Sequence, residues 1–318
     1  MSDSITYSVI LPIYNEEAVL AETLERLLKV LNATNQFYEV ICVDDASTDR
    51  TWEIIQEHRG QTGAVKGLRF SRNFGHQLAI FAGIKHSRGE FVAVLDADGQ
   101  DPPELLPELW AKCREGYDVV YAVRQNRKES LFKRTAYKLF YRVYKRIMPF
   151  DVPVDAGDFS VFTRGVADFI GGLREHNPFI RGLRSWYGGR QTGIAYDREE
   201  RGAGRSKYSY WKLILLAVNG AVSFSKAPLR SISLLGITAS VLSLLYAAYL
   251  LILKITVGIP LLGWTSTALL IIFFGGLNLF VVGITGEYIG DIFEEVKKRP
   301  PYLIRDTAGL EPDGGGQT

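Results

Sequence analysis

Phe91-Val92-Ala93-Val94-Leu95-Asp96-Ala97-Asp98-Gly99-Gln100-Asp101-Pro102-Pro103-Glu104 is the stretch on which the reading of the whole chain turns. A short apolar run that stops at carboxylates and an amide predicts a buried strand carrying acidic side chains to the rim of a sheet. Hard cations and phosphates are bound at such rims. Asp101-Pro102-Pro103-Glu104 predicts a helix start, with Asp101 as N-cap, proline in the first turn and Glu104 at the capping-box position. Asp96, Asp98 and Gln100 then occupy the loop before that helix. Two acids in a loop are more often solvated or capping than ligating, but with Gln100 the loop offers two carboxylates and an amide oxygen. That set suits Mg²⁺ or Mn²⁺ shared with a diphosphate. Zinc is disfavoured, because no Cys/His cluster exists.

Upstream, the same grammar repeats. Tyr7 to Ile13 is an apolar run closing on Tyr14-Asn15-Glu16-Glu17, followed by Leu20, Leu24, Leu27, Leu28 and Leu31 at helical spacing. Tyr38 to Val43 predicts a second strand ending in Asp44-Asp45, with Ser47, Thr48 and Asp49 available to cap the next helix. Val65 to Phe70 predicts a third, leading through Ser71-Arg72-Asn73-Phe74-Gly75 into a helix over 76–86. Four strand–helix units in succession require a mostly parallel sheet with helices on both faces, since parallel neighbours need helical crossovers.

Downstream, Asp118 to Val123 predicts a fifth strand, followed by Arg124. A basic aromatic segment, Lys128 to Arg146, reads either as a helix lying on an anionic membrane or as one with a solvated charged face. Asp155 and Asp158 open another strand-like run, and Arg198, Arg201, Arg205 and Lys207 lie on a glycine-containing loop suited to a phosphate group. The same four cations can also be read as membrane anchors. Tyr208 to Val222 is apolar but about 15 residues long, so it reaches only about 22 Å and predicts an interfacial helix. Ile232 to Leu253 and Thr267 to Ile284 are each near spanning length, and predict two transmembrane helices. Lys226 and Arg230 before the pair, and Lys297-Lys298-Arg299 after it, put both termini in the cytoplasm by the positive-inside rule. The Gly286 to Gly290 spacing allows close helix approach and a homo-oligomer, and the residues from Gly309 to Thr318 read as a disordered tail. The expected domains are 1–207, 208–230, 231–290 and 291–318.

Composition sets the outer limits. The chain has 318 residues, 47% of them hydrophobic, with a mean hydropathy of +0.03, and the apolar excess sits near the C-terminus. A net charge of +2 is too balanced for a nucleic-acid binder. Cys42 and Cys113 have no metal-ligand spacing and read as reduced packing residues, and the first residues carry no signal-peptide pattern. His58, His76, His86 and His176 lack partners at ligand spacing and read as ordinary histidines.

Five motifs in order carry a resemblance: Val9 to Glu16, Val43 to Asp49, Arg72 to Gly75, Asp96 to Pro103, and Arg201 to Tyr208. Together they resemble family-two, inverting GT-A glycosyltransferases of the polyprenyl-phosphate type, most like bactoprenol (undecaprenyl-phosphate) glucosyltransferases and related to dolichyl-phosphate mannose synthase. The resemblance implies an α/β, Rossmann-like GT-A domain followed by the interfacial helix and two transmembrane helices. It implies sugar transfer, UDP-glucose being the favoured donor, to a polyprenyl phosphate at the inner (cytoplasmic) membrane, with Mg²⁺ or Mn²⁺. By the same resemblance Pro12, Tyr14, Glu16 and Asp44 line the nucleotide, with Asp45 near its ribose or base. Asp96, Asp98 and Gln100 handle metal and diphosphate, and Arg124, Arg201, Arg205 and Lys207 meet the phosphates. Asp155 and Asp158 both stand where relatives keep a catalytic base, and the choice between them is open.

A lipid monophosphate carries about −1.5 to −2 charge at pH 7 and needs little deprotonation, so a strong base is dispensable. The competing readings are a mannose synthase using GDP-mannose, a membrane-tethered nucleotide-sugar sensor, and a processive polysaccharide synthase. The last is disfavoured because two spans form no polymer channel and no Gln-x-x-Arg-Trp element is present.

Overall fold

The structure, a computed structural model, describes residues 4–124, 156–197, 227–257 and 263–310. Two compact units divide the chain. The first comprises residues 1–145, 150–208 and 299–318, and the second residues 146–149 and 209–298.

The first unit is built on one eight-stranded sheet. In chain order its strands are β1 (Tyr7–Ile13), β2 (Tyr38–Asp44), β3 (Val65–Phe70), β4 (Phe91–Val94), β5 (Val119–Arg124), β6 (Ala156–Thr163), β7 (Gln191–Tyr196) and β8 (Ile304–Ala308). Their spatial order is β7-β5-β6-β4-β1-β2-β3-β8. The pairs β1/β2, β1/β4, β2/β3 and β5/β7 are parallel, whereas β6 runs against β4 and β5, and β8 runs against β3. Strands β1 and β4 are buried along their whole length, as expected for strands covered on both faces.

The helices of this unit are α1 (Leu20–Ala33), α2 (Thr51–Gln61), α3 (His76–His86), α4 (Leu106–Arg114), α5 (Arg164–Gly172) and α6 (Ile180–Trp186). Leu20, Leu24, Leu27 and Leu31 of α1 are fully buried in the core with Val9 and Leu11 of β1, so the leucine spacing has found the face it required. Helix α3 lies close on β1 at Gly83, where any Cβ would fall on Ile10 Cγ2.

Register places the chemistry at one edge. Strands β1, β2 and β4 end there, and because Val94 pairs with Ser160 and Val123 with Ala156, the start of β6 reaches the same edge as the ends of β4 and β5. Tyr196, at the end of β7, pairs with Arg124.

Strand β7 was not expected from sequence, and two further features differ from the expectation. Asp101 does not cap a helix. A 3₁₀ turn, Pro103–Leu105, precedes α4 without a side-chain cap, and the buried Asp101 carboxylate accepts the Tyr196 hydroxyl at 2.6 Å. Glu104 accepts a forked pair of bonds from Arg26 of α1. The other feature is β8, a strand where no strand was expected. Tyr302 is buried just before it and stacks on Phe70 with ring centroids 5.1 Å apart, and the Ser71 amide donates to Leu303 O at 2.9 Å.

The second unit contains α7 (Ala227–Val257) and α8 (Trp264–Lys297). Among the described residues, one helix segment, Leu270–Lys297, is long and apolar enough to cross a membrane. Ile271, Ile272, Phe273 and Leu279 on it, and Leu244 and Leu245 on α7, are exposed. Lys298 takes a left-handed conformation, φ 51°, and Pro300-Pro301 follow, which ends α8 before the chain enters β8. The basic aromatic segment, Asp155, the 198–207 cations and the Tyr208 to Val222 stretch lie outside the described residues.

If Tyr302 is what fastens β8, Tyr302→Ala should lower the unfolding free energy by about 3 kcal/mol, the usual cost of deleting a buried aromatic. Tyr302→Phe should cost less than about 1 kcal/mol. Denaturant titration followed by tryptophan fluorescence reads both; equal stability of Tyr302→Ala and the native chain would remove β8 from the account.

Candidate functional site

The edge is braced by hydrogen bonds between loops. The loop after β1 and the loop after β2 hold one another: Asn15 Oδ1 accepts the Thr48 amide at 2.8 Å, the Asn15 amide donates to Ser47 Oγ at 2.9 Å, and the Glu16 amide donates to Thr51 Oγ1 at 3.1 Å. Pro12 is buried within β1 opposite Val43, while Tyr14 is exposed. Asp44 is buried, accepts the Ser47 amide at 2.8 Å and faces Arg69 Nε at 3.2 Å. Burial pushes its pKa up, against the pull of Ser47 and Arg69.

Asp45 serves the backbone. Its two carboxylate oxygens accept the amides of Phe74 at 2.7 Å and Gly75 at 2.9 Å. Gly75 has φ +103°, a conformation that side-chain-bearing residues rarely adopt, and α3 starts at the next residue. Burial raises the pKa of Asp45, and the two amides oppose that rise.

Four acids converge beyond β4. Asp96 is pushed up to about 6 by burial first, and then by Asp101, Asp158 and Asp98, with His76 acting in the other direction. Asp98 Oδ1 accepts the Gln100 amide at 3.2 Å, which curls the loop on itself. On the neighbouring strands, Arg124 Nε donates to Tyr196 Oη at 3.3 Å, and Tyr196 in turn donates to Asp101. Burial, then Asp101, pushes the Tyr196 phenol far up, so it remains a donor.

Asp158 sits at the centre of a second network. Arg181 forks onto it, with Nε to Oδ1 and Nη2 to Oδ2 both at 2.8 Å, and His76 Nε2 lies 3.3 Å from Oδ2. Gln77, the next residue of α3, reaches both oxygens at 3.5 Å and accepts the Ile180 amide at 3.0 Å. Burial opposes the charge of Asp158, but Arg181 and His76 outweigh it and hold the carboxyl well below the usual range. His76 is itself half-exposed; burial opposes its protonation, yet Asp158 and Asp96 leave its pKa raised. The buried Arg184 supports the same strand through Ser160 Oγ at 2.8 Å and Gly157 O at 2.9 Å, and burial lowers its pKa to about 10.

The edge therefore gathers Tyr14, Asp44, Asp96, Asp98, Arg124 and Asp158, whereas Asp45 faces the backbone of the 74–75 turn. Asp155, Arg201, Arg205 and Lys207 lie outside the described residues. His76, Arg181 and Tyr196 were not singled out for the site from sequence. The available signal was His76's place directly after Gly75, at the start of the helix that follows β3; nothing in the spacing joins Arg181 to Asp158 or Tyr196 to Asp101.

The sheet is mostly parallel, with acids collected where its strands end, the place where open α/β sheets bind ligands. Residues 8–171 match the family model described as Glycosyl transferase family 2. The chain is 44% identical, over 98% of its length and 97% of the relative's, to the uncharacterized glycosyltransferase YkcC of Bacillus subtilis (strain 168). It is 43% identical, over 97% of each chain, to the uncharacterized glycosyltransferase sll0501 of a Synechocystis strain. The SfII prophage-derived bactoprenol glucosyl transferase of Shigella flexneri is 37% identical, over 94% of this chain and 97% of that one. The chain belongs to glycosyl transferase family 2 and is a GT-A glycosyltransferase similar over most of its length to bactoprenol glucosyl transferases.

Removing one partner from a buried ion pair costs about 3–5 kcal/mol, and Asp158→Ala should fall at the low end because Arg181 keeps 35% of its side chain in water. The pH dependence has a definite sign. Asp158 has its folded pKa below the unfolded value of about 3.9, so its contribution is complete above that pH and is lost as pH falls through the folded value. Acid titration of native and Asp158→Asn proteins should show the steeper loss below about pH 4 in the native chain; parallel curves would contradict the geometry.

Proposed function

We propose that this chain transfers glucose from UDP-glucose, with inversion, to undecaprenyl phosphate or a similar polyprenyl phosphate at the cytoplasmic face of the membrane. The observation that carries the reading is the acid cluster around Asp96: a carboxylate pushed up to about 6 by burial and by neighbouring acids is one that a cation would relieve. The donor set fits. Asp96, Asp98 and Gln100 offer hard oxygens, a set that suits an ion shared with a diphosphate. A Mg²⁺ or Mn²⁺ ion held there would supply charge stabilisation to the departing nucleotide diphosphate.

The protein's own groups account for the rest. Tyr14 and Asp44 flank the nucleotide, and Asp45 contributes by fixing the 74–75 turn. Arg124 takes part of the phosphate charge, joined by Arg201, Arg205 and Lys207. An acceptor phosphate already bearing about −1.5 to −2 charge attacks without deprotonation. That fits Asp158, whose oxygens are committed to Arg181, His76 and Gln77. Asp158 then holds the acceptor wall in place, and neither it nor Asp155 is needed as a strong base. Catalysis rests on in-line positioning and charge stabilisation.

The membrane reading draws on connectivity. The polypeptide leaves the first unit after Tyr208 and rejoins its sheet at β8, so a segment with both ends in that unit crosses a bilayer an even number of times. One span in α8 calls for a second, and α7, with 31 residues, is the available helix. This supports a two-helix hairpin; the flanking Lys226, Arg230 and Lys297-Lys298-Arg299 favour cytoplasmic termini, and the proposed interfacial segment precedes α7. Gly286 and Gly290 supply the contact for a homo-oligomer.

Full-length protein in vesicles containing undecaprenyl phosphate, given labelled UDP-glucose, GDP-mannose or UDP-linked amino sugars with Mg²⁺ or Mn²⁺, tests donor and acceptor together. Label from UDP-glucose should enter an organic-extractable, acid-labile lipid. Transfer from GDP-mannose alone would favour the mannose synthase, an aqueous polymer the processive synthase, and no transfer from any donor the sensor. In the same assay Asp98→Ala should lower turnover by at least about 100-fold; near-native turnover with metal present would remove Asp98 from the diphosphate site.

A further inference from the structure

Two carboxylate-bearing walls face each other across the site, the loop after β4 with Asp96 and the start of β6 with Asp158, and His76 stands between them. Its Nε2 lies 3.3 Å from Asp158 Oδ2, within hydrogen-bond reach, and 3.6 Å from Asp96 Oδ1, within ion-pair reach. The backbone of His76 is fixed from both sides. Before it, Asp45 holds the amides of Phe74 and Gly75; after it, α3 is seated on β1 at Gly83 and joined to α6 through Gln77 Oε1 and the Ile180 amide. The imidazole nevertheless keeps 45% of its side-chain surface exposed, so it borders the open site instead of filling core. Arg181 forks onto Asp158 as well, and His76 is in contact with both acids.

We infer that His76 is a positioning residue that sets the distance between the cation–diphosphate loop and the acceptor-side wall, by donating from Nε2 to Asp158 while holding Asp96 against it. Without that donor the two carboxylates repel at close range, and the Asp96–Asp98 loop loses its fixed position relative to Asp158. The inference rests on the reading of Asp96, Asp98 and Gln100 as the metal–diphosphate site. His76 touches no reacting atom. Its loss acts through Asp96, as loss of an outer partner of a metal ligand does, typically by 10- to 100-fold in metal affinity or activity.

The test measures Mn²⁺ binding by electron paramagnetic resonance in the presence of UDP, on full-length protein, beside kcat and KM for the lipid acceptor. Native protein that fails to bind Mn²⁺ with UDP would refute the metal–diphosphate reading itself. If native protein binds, His76→Ala should weaken Mn²⁺ binding about tenfold and lower kcat by a similar factor with a smaller change in KM for the lipid. His76→Gln, which restores an N–H donor, should recover both to within about threefold. Native-like Mn²⁺ affinity and kcat in His76→Ala would overturn the inference. Should His76→Ala not fold, His76→Gln is compared with His76→Phe, which keeps bulk without a donor: a tenfold gap in Mn²⁺ affinity supports the inference, and equal values overturn it.

Discussion

A carboxylate withdrawn from water is tolerated only where opposite charge and hydrogen bonds replace its hydration, and the fork of Arg181 on Asp158 meets that condition in the first unit. Asp158 begins the reversed strand β6, Arg181 belongs to α6, and His76 and Gln77 belong to α3, so one buried anion gathers three elements that the chain order keeps apart. With that anchor in place the start of β6 is held beside the end of β4, and the proposed acceptor side of the site has a fixed wall. The same commitment agrees with the proposal that Asp158 is not needed as a strong base, since the proposed acceptor arrives already ionised.

On the donor side the electrostatics run the other way. Arg181 answers Asp158, but Asp96 lies among Asp98, Asp101 and Asp158 with its pKa pushed up to about 6. Asp158 thus has a fork from Arg181, while Asp96, paired with His76, sits among three further acids, an arrangement that agrees with the proposed cation brought in with a diphosphate. Tyr196 links the two further along, since it donates to Asp101 and accepts from Arg124.

Much of this was legible in sequence. Strands β1, β2 and β4 are largely apolar runs stopped by acids or turn residues, because burial on both faces leaves a simple signature, and β3, which carries Lys66 and Arg69, and α3 have the bounds their patterns predict. Strands β7 and β8 were not legible: Gln191-Thr-Gly-Ile-Ala-Tyr196 and Ile304-Arg-Asp-Thr-Ala308 lie at the two edges of the sheet, where mixed composition is tolerated and the partner strand decides the conformation. Asp101 misled for a related reason. Its local pattern is that of a helix cap, yet the bond that holds it comes from Tyr196, 95 residues away. His76 has no partner nearby in sequence, and its significance depends on Asp96 and Asp158 being folded to either side of it.

The return of the chain into the sheet through β8 ties the helical unit to the catalytic unit at both ends, so the site and the helices are parts of one covalent loop. Such an arrangement suits the proposed lipid-phosphate acceptor, which stays in the bilayer while the donor comes from water. The most direct measurement of that claim is the ³¹P spectrum of vesicles holding undecaprenyl phosphate, the full-length protein, UDP-glucose and a divalent cation. Conversion of the phosphate monoester resonance to a phosphodiester, in step with release of UDP, is the predicted result. Release of UDP with the monoester resonance unchanged would contradict the account, because the sugar would then have gone to some other acceptor.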